Sequence, residues 1–316
     1  ISGSRPSRAW GMTGTEGTSA PRQDNLKALA MMASAMMIVP VMDVIAKYLA
    51  LSLPPMEVTF GRFFFQLIIT VIFAALVGKV PSLRSKRPFL NYFRGALLCG
   101  AVFCFFTAVK YMPVATAISI FFVEPMILTI LAAVVLKEKV GIRRIAAIVI
   151  GLAGALIILR PSFIEVGPAS LLPLGTATLF AVYLLLNRVY AGSDGVLALQ
   201  FSAGVAGSLL LGASLVTGSA LGFADFAIVM PGTSQLGLLL ALGIISFVGH
   251  CLVIAAFQRG EAAALAPLQY LEIVSATVFG YLVFGDFPDG PTWFGIALIV
   301  LSGIYIAHRE RIAGNA

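Results

Sequence analysis

Two glutamates, Glu124 and Glu272, stand in the middle of apolar runs, in Phe121-Phe122-Val123-Glu124-Pro125 and Ala266-Pro267-Leu268-Gln269-Tyr270-Leu271-Glu272. A carboxylate in such a setting can hold a cation, carry a proton or pair with a charge on another helix. Gln269 and Glu272 are three residues apart, so on a helix an amide and a carboxylate share one face. Pro125 and Pro267 each remove a backbone donor nearby, and irregular helix at depth is tolerated where it lines a cavity. Glu124 is therefore expected to face a cavity and to serve coupling or substrate binding, with a structural partner on another helix as the alternative. Gln269, Tyr270 and Glu272 are expected to belong to the same site.

A second group, Asp43, Lys47, Glu57 and Arg62, falls near one end of the first two apolar runs. Asp43 and Arg62 would lie at similar depth, as would Lys47 and Glu57. Two cross-helix ion pairs that fix or gate the extracellular end are expected, with direct substrate contact by Arg62 or Asp43 as the alternative. His250, beside Cys251, can carry a proton near neutral pH and is counted with the site, although a hydrogen-bonded packing role competes. No metal is expected, because no ligand stands at i±3 or i±4 from it. Arg188 with Asn187 ends a span, where snorkelling explains it. Phe103, Phe105, Phe106, Phe121, Phe122 and Tyr270 share the spans of the glutamates. Phe106 and Phe122 are taken as site residues on which a ring-bearing substrate could stack, against the default of aromatic rings facing lipid.

The elements that hold these residues follow from composition. The chain has 316 residues, 59% hydrophobic and 11% charged, against roughly a quarter charged in a soluble domain. Its 21 Lys and Arg with 14 Asp and Glu are too few to make a charged skin, so the main solvent is lipid. Disorder, a disulfide scaffold and nucleic-acid binding are excluded. Cys99, Cys104 and Cys251 lie in apolar runs and read as packing residues. About 20 apolar residues cross a bilayer. Ten such spans are expected at 28–49, 55–77, 89–110, 114–136, 144–160, 169–190, 196–217, 235–257, 262–284 and 291–308, the fifth being short. With both termini inside, the cytoplasmic set takes Arg5, Arg8, Arg22, Lys27, the 79–94 loop, Lys137, Lys139, Arg143, Arg144, Arg188, Arg259, Arg309 and Arg311. The net charge of +7 thus reflects topology and attraction to anionic headgroups. Residues 1–27 read as a polar cytoplasmic leader, without a signal peptide. Within it 1–11, ahead of Met12, read as a start-site error or cloning remnant. Residues 309–316 read as a cytoplasmic tail.

Laying span three through four over span eight through nine at an offset of 148 puts Ala108 on Ala256, Ala115 on Ala263, Glu124 on Glu272, Val134 on Leu282 and Glu138 on Asp286. Two repeats, 28–160 and 168–308, each of five spans, must insert in opposite directions because five is odd. Carriers built that way bind substrate near the midplane, between the halves. Ala147, Gly151 and Ala155, and Ala203 with Gly207, are small residues four apart that let helices approach. No phosphate-binding loop is present and no loop has room for an ATPase domain, so primary pumping is excluded. Scattered single groups such as His250 do not supply an enzyme site, and no enzyme is expected. A passive channel or a non-transporting membrane subunit is the competing class.

Ten spans, the inverted repeat, the loop ending Arg87-Pro88 and the Lys137-Glu138-Lys139 close of span four resemble the drug/metabolite transporter superfamily, EamA-type branch, over about residues 28–308. Within it Asp43-Val44-Ile45-Ala46-Lys47-Tyr48-Leu49, Glu57-Val58, Arg62-Phe63-Phe64-Phe65, Arg94-Gly95, Ala266-Pro267, Tyr270-Leu271-Glu272 and Phe287-Pro288-Asp289 are most similar to bacterial S-adenosylmethionine uptake carriers. The riboflavin importers are a second resemblance. The resemblance implies an all-α polytopic carrier in the bacterial inner membrane, moving a small organic metabolite by alternating access, without a cofactor. An amino acid or other metabolite as cargo, uptake or efflux, exchange or proton coupling, and a homodimer are left open. Gln269 stands where the pattern has an arginine, and Glu124 where it has an uncharged residue.

Overall fold

The computed structural model describes residues 22–137, 141–190, 194–222, 226, 228–259 and 262–314. All its extended elements are helices: α1 (Arg22–Leu49), α2 (Pro55–Leu76), α3 (Pro88–Tyr111), α4 (Val114–Phe121), α5 (Glu124–Val135), α6 (Ile142–Val166), α7 (Leu172–Val189), α8 (Val196–Ala220), α9 (Thr233–Arg259), α10 (Ala262–Gln269), α11 (Leu271–Phe284) and α12 (Gly290–Gly314). In lipid a backbone must satisfy its own hydrogen bonds, and an apolar helix does so within one segment. Pro55 and Pro88 open α2 and α3, where a missing N–H costs nothing.

Nine described segments are long and apolar enough to cross a membrane. The longest, Ile142–Val189, has 48 residues, about 72 Å of helix against a hydrocarbon core of about 30 Å. Gly167, at φ 68° and ψ −145°, breaks it in a conformation open to glycine alone. A short 3-10 turn over Gly167–Leu171 follows. α6 and α7 are therefore two spans, which makes ten. The fifth span is not short: α6 runs 25 residues, through Arg160 and Pro161.

Spans four and nine are each broken. α4 ends at Phe121 and α5 starts at Glu124; α10 ends at Gln269 and α11 starts at Leu271. At both breaks the ladder tightens to i→i−3 bonds, Val123 N–H to Ile120 O and Tyr270 N–H to Pro267 O. Pro125 contributes directly, since it leaves the Phe121 carbonyl without its helical donor.

The packing follows the repeat. α1 lies along α9 and α3 along α7; α2 crosses α8, and α6 packs on α12. At the last contact a Cβ on Gly154 would meet Gly295 O at 2.8 Å, so only glycine permits that approach. The largest core cluster runs between these layers and includes Phe105, Phe106, Phe122 and Met126. Residues 1–21, Glu138 and Lys139, and the side chains of Arg22, Ala263, Arg309 and Arg311 lie outside the description.

Candidate functional site

The two broken spans bring their first-turn acids to the middle of the bundle. Glu124 and Glu272 stand near the centres of spans four and nine, each in the first turn of a half-helix. That position is electrostatically favourable, because a helix N-terminus carries partial positive charge. Both glutamates line one cavity of about 310 Å³, together with Asp43 of α1, Arg62 of α2, His250 of α9 and Gln269 of α10. Phe105, Phe106, Phe121 and Phe122 supply its aromatic wall, joined by Phe180. Phe121 meets Phe180 edge-on with ring centroids 5.5 Å apart.

Charge is unevenly distributed in this wall. Three carboxyls, Asp43, Glu124 and Glu272, share it with one guanidinium, Arg62. Asp43 is buried, as are Glu124 and Arg62. Asp43 interacts through space with both Arg62 and Glu272. The His250 Nδ1–H donates to the Ser246 carbonyl at 3.0 Å, which leaves Nε2 as the acceptor of the ring. Behind it, Ser246 Oγ donates to Gln66 Oε1 at 2.9 Å and Gln66 Nε2 donates to Gln200 Oε1 at 2.9 Å. This buried amide relay locks α2, α8 and α9 together and holds one flank of the cavity.

Tyr270 does not line the cavity. Its ring meets Phe122 at a tilt of 39°, with centroids 4.9 Å apart, and its hydroxyl fills the notch that Gly303 leaves in α12. It supports Phe122 from the second repeat. Phe103 packs against a separate cluster around Phe63 and Leu98.

The expected gate of four charges is corrected. Lys47 pairs with Asp286, after α11, and not with Glu57; its ammonium also lies 4.6 Å from the Phe284 ring centre. Glu57 instead accepts the Val229 N–H at 3.2 Å. Asp43 and Arg62 form no salt bridge among the described residues and belong to the cavity wall. Depth along two helices says nothing of side-chain direction, and it is direction that sends Lys47 across to the other repeat.

Sequence reasoning missed a cluster at the end bearing the basic loops. Asp194, between α7 and α8, accepts from the Lys86 N–H at 2.6 Å and from Asn91 Nδ2 at 2.9 Å. Arg94 donates to Asn91 Oδ1 at 3.0 Å and to Leu186 O at 2.7 Å. Arg94 was read there as one of several topology charges; its burial at 3% exposure shows a structural role. Phe180, Ser246, Gln66 and Gln200 were also missed, since a single aromatic, serine or glutamine in an apolar span gives no signal until its neighbours are known.

The model of the EamA-like transporter family matches the chain twice, at residues 26–160 and 167–307. The chain belongs to the EamA-like transporter family. The S-adenosylmethionine uptake transporter of Rickettsia prowazekii (strain Madrid E) is 29% identical over 269 residues, covering 85% of this chain and 88% of that protein. The riboflavin transporter of Vibrio cholerae is 27% identical over 274 residues, with 85% and 89% covered. The pseudopaline exporter of Pseudomonas aeruginosa is 27% identical over 277 residues, with 86% and 92% covered. A crystal structure at 21% identity superposes with a TM-score of 0.61, covering 89% of this chain and 96% of that one, and supports the fold. As an EamA-like transporter the chain is a multi-pass membrane protein that handles a small molecule in a lipid environment.

Proposed function

We propose that this EamA-like transporter is a secondary carrier of a cationic, S-adenosylmethionine-like metabolite, working by alternating access in a bacterial inner membrane with both termini cytoplasmic. The observation that carries the reading is the one cavity that Glu124, Glu272, Asp43 and Arg62 line together. A charge in hydrocarbon costs at least ~2.5–3.5 kcal/mol, so four such groups around one void make sense where water and cargo reach them. Three carboxyls against one guanidinium favour a cargo of net positive charge. Among the substrates that the relatives' names give, S-adenosylmethionine has that charge and a flat purine for the phenylalanine wall; riboflavin is a neutral ring system.

The test is counterflow. Purified protein in liposomes preloaded with unlabelled compound is offered labelled S-adenosylmethionine, riboflavin or an amino acid, with and without a pH gradient. Transient accumulation of labelled S-adenosylmethionine above equilibrium is expected. Uptake that only equilibrates marks a passive channel, and counterflow of riboflavin in its place removes the cationic reading. A rate that follows the pH gradient marks proton coupling rather than exchange.

A further inference from the structure

Arg62 lines the cavity with hydrogen-bonding capacity left unused among the described residues. Its side chain is 1% exposed and forms part of the cavity wall, yet Nε and Nη1 have no acceptor among the described residues. Asp43 acts on it through space, without a salt bridge. The guanidinium lies over the Phe63 ring, 4.5 Å from its centre, which fixes its plane. Phe63 is itself fully buried, against the backbone of α8 at Gly207, so the platform does not yield.

A buried cation with idle donors is costly unless an anion reaches it. A guanidinium differs from an ammonium in offering a planar fork that matches a carboxylate with two parallel hydrogen bonds. We infer that Arg62 anchors a carboxylate of the cargo, and that the cargo is a zwitterion carrying more positive than negative charge. Its carboxylate meets Arg62 on the α2 side, its cationic part faces Glu124 and Glu272, and a flat ring lies against Phe121 and Phe122 between them. The inference rests on the cavity being the substrate site, and it adds which group of the cargo is read by which wall. Arg62 thereby determines specificity: a molecule with the same ring and cation but no carboxylate leaves the guanidinium unpaired, which is a larger loss than a missing apolar contact.

The test changes the cargo before it changes the protein. Binding of S-adenosylmethionine and of its decarboxylated analogue, which differ in the carboxylate alone, is measured calorimetrically on the full chain in detergent. The acid is expected to bind about ten- to a hundredfold more tightly, the range given by a charge-assisted hydrogen bond or two. Arg62→Lys, which keeps the charge and loses the fork, is expected to close most of that gap through weaker binding of the acid, with the analogue little changed. Equal affinity of the two probes for the unaltered protein overturns the inference, and this comparison needs no variant to fold. Undiminished discrimination in a folded Arg62→Lys protein overturns it too. If neither probe binds, the cargo reading made under Proposed function fails by itself. Arg62 is then judged with matched amino acid and amino-acid-amide pairs, where lack of preference for the acid in every pair is decisive.

Discussion

Glu124 and Glu272 occupy matching places in two repeats, yet their surroundings differ. Glu124 stands among the Phe105–Phe122 aromatic wall and interacts with Tyr270; Glu272 feels Asp43 from α1. Replacing either carboxylate with an amide keeps its size and removes its charge. Glu272→Gln is expected to abolish or uncouple counterflow, because it leaves Asp43 as the lone carboxylate on its side of the cavity. Glu124→Gln is expected to lower counterflow at least tenfold, about 1.4 kcal/mol of lost cargo interaction. Both proteins should retain wild-type thermal unfolding in detergent, since removing a buried charge relieves desolvation. Normal counterflow in both variants removes the cavity from the mechanism. These two residues were legible in the sequence because an acid in an apolar run has no ordinary explanation. Arg62 was legible as a charge, with an ion pair to Asp43 expected and substrate contact as the alternative; its unused donors appear only when every described neighbour is known.

The helices themselves were nearly all legible, since lipid permits one way to satisfy a spanning backbone and leaves a run of apolar residues as its trace. The breaks in spans four and nine were foreshadowed by Pro125 and Pro267. The fifth span read short because Arg160 and Pro161 look like an end; the helix continues past both. What the sequence could not reveal is how the connections tie the elements. Asp194 stands 108 residues from Lys86 and 103 from Asn91, and only the antiparallel return of α7 beside α3 joins them. Burial pushes the Asp194 carboxyl up, but the Lys86 N–H, Asn91 and Ser85 outweigh it and hold it below the usual carboxylate range. A carboxyl depressed in the folded state stabilises above its ordinary pKa, and that contribution disappears as pH falls through the depressed value. The tie should therefore hold at neutral pH and slacken in acid, below the range where free carboxylates titrate. Amide exchange at 85–91, corrected for its intrinsic pH dependence, is expected to rise there. Asp194→Asn should raise it already at neutral pH and abolish the acid step; identical profiles would deny Asp194 the role.

Across the whole molecule the repeat symmetry is broken where the halves of spans four and nine meet. The first half of span four, α4, packs on the second half of span nine, α11, at the end away from the basic loops. The repeat-related pair, α5 and α10, makes no comparable contact among the described residues. Alternating access needs two such contacts that are not made together, one sealing each end. The α2 and α8 side behaves differently, being tied at both ends at once. Glu57 holds the Val229 N–H and Ser52 accepts from Gln235 at one end, while Asp194 holds Lys86 and Asn91 at the other. On the proposed alternating-access reading, that side is expected to be the frame, and α4–α5 with α10–α11 the part that moves. The Lys47–Asp286 pair spans from α1 to the second residue beyond α11, so on that reading it is expected to part when α11 leaves α4. Joining positions 47 and 286 with a short bis-thiol linker, after Lys47→Cys and Asp286→Cys in a protein whose Cys99, Cys104 and Cys251 are replaced, is expected to arrest counterflow reversibly. Joining 85 and 194, whose side-chain oxygens are 3.3 Å apart, after Ser85→Cys and Asp194→Cys, should leave turnover at neutral pH within about twofold, because the linker restores a tie expected to stay closed through the cycle. Turnover through the first link, or arrest by the second, would exchange the roles of frame and moving part.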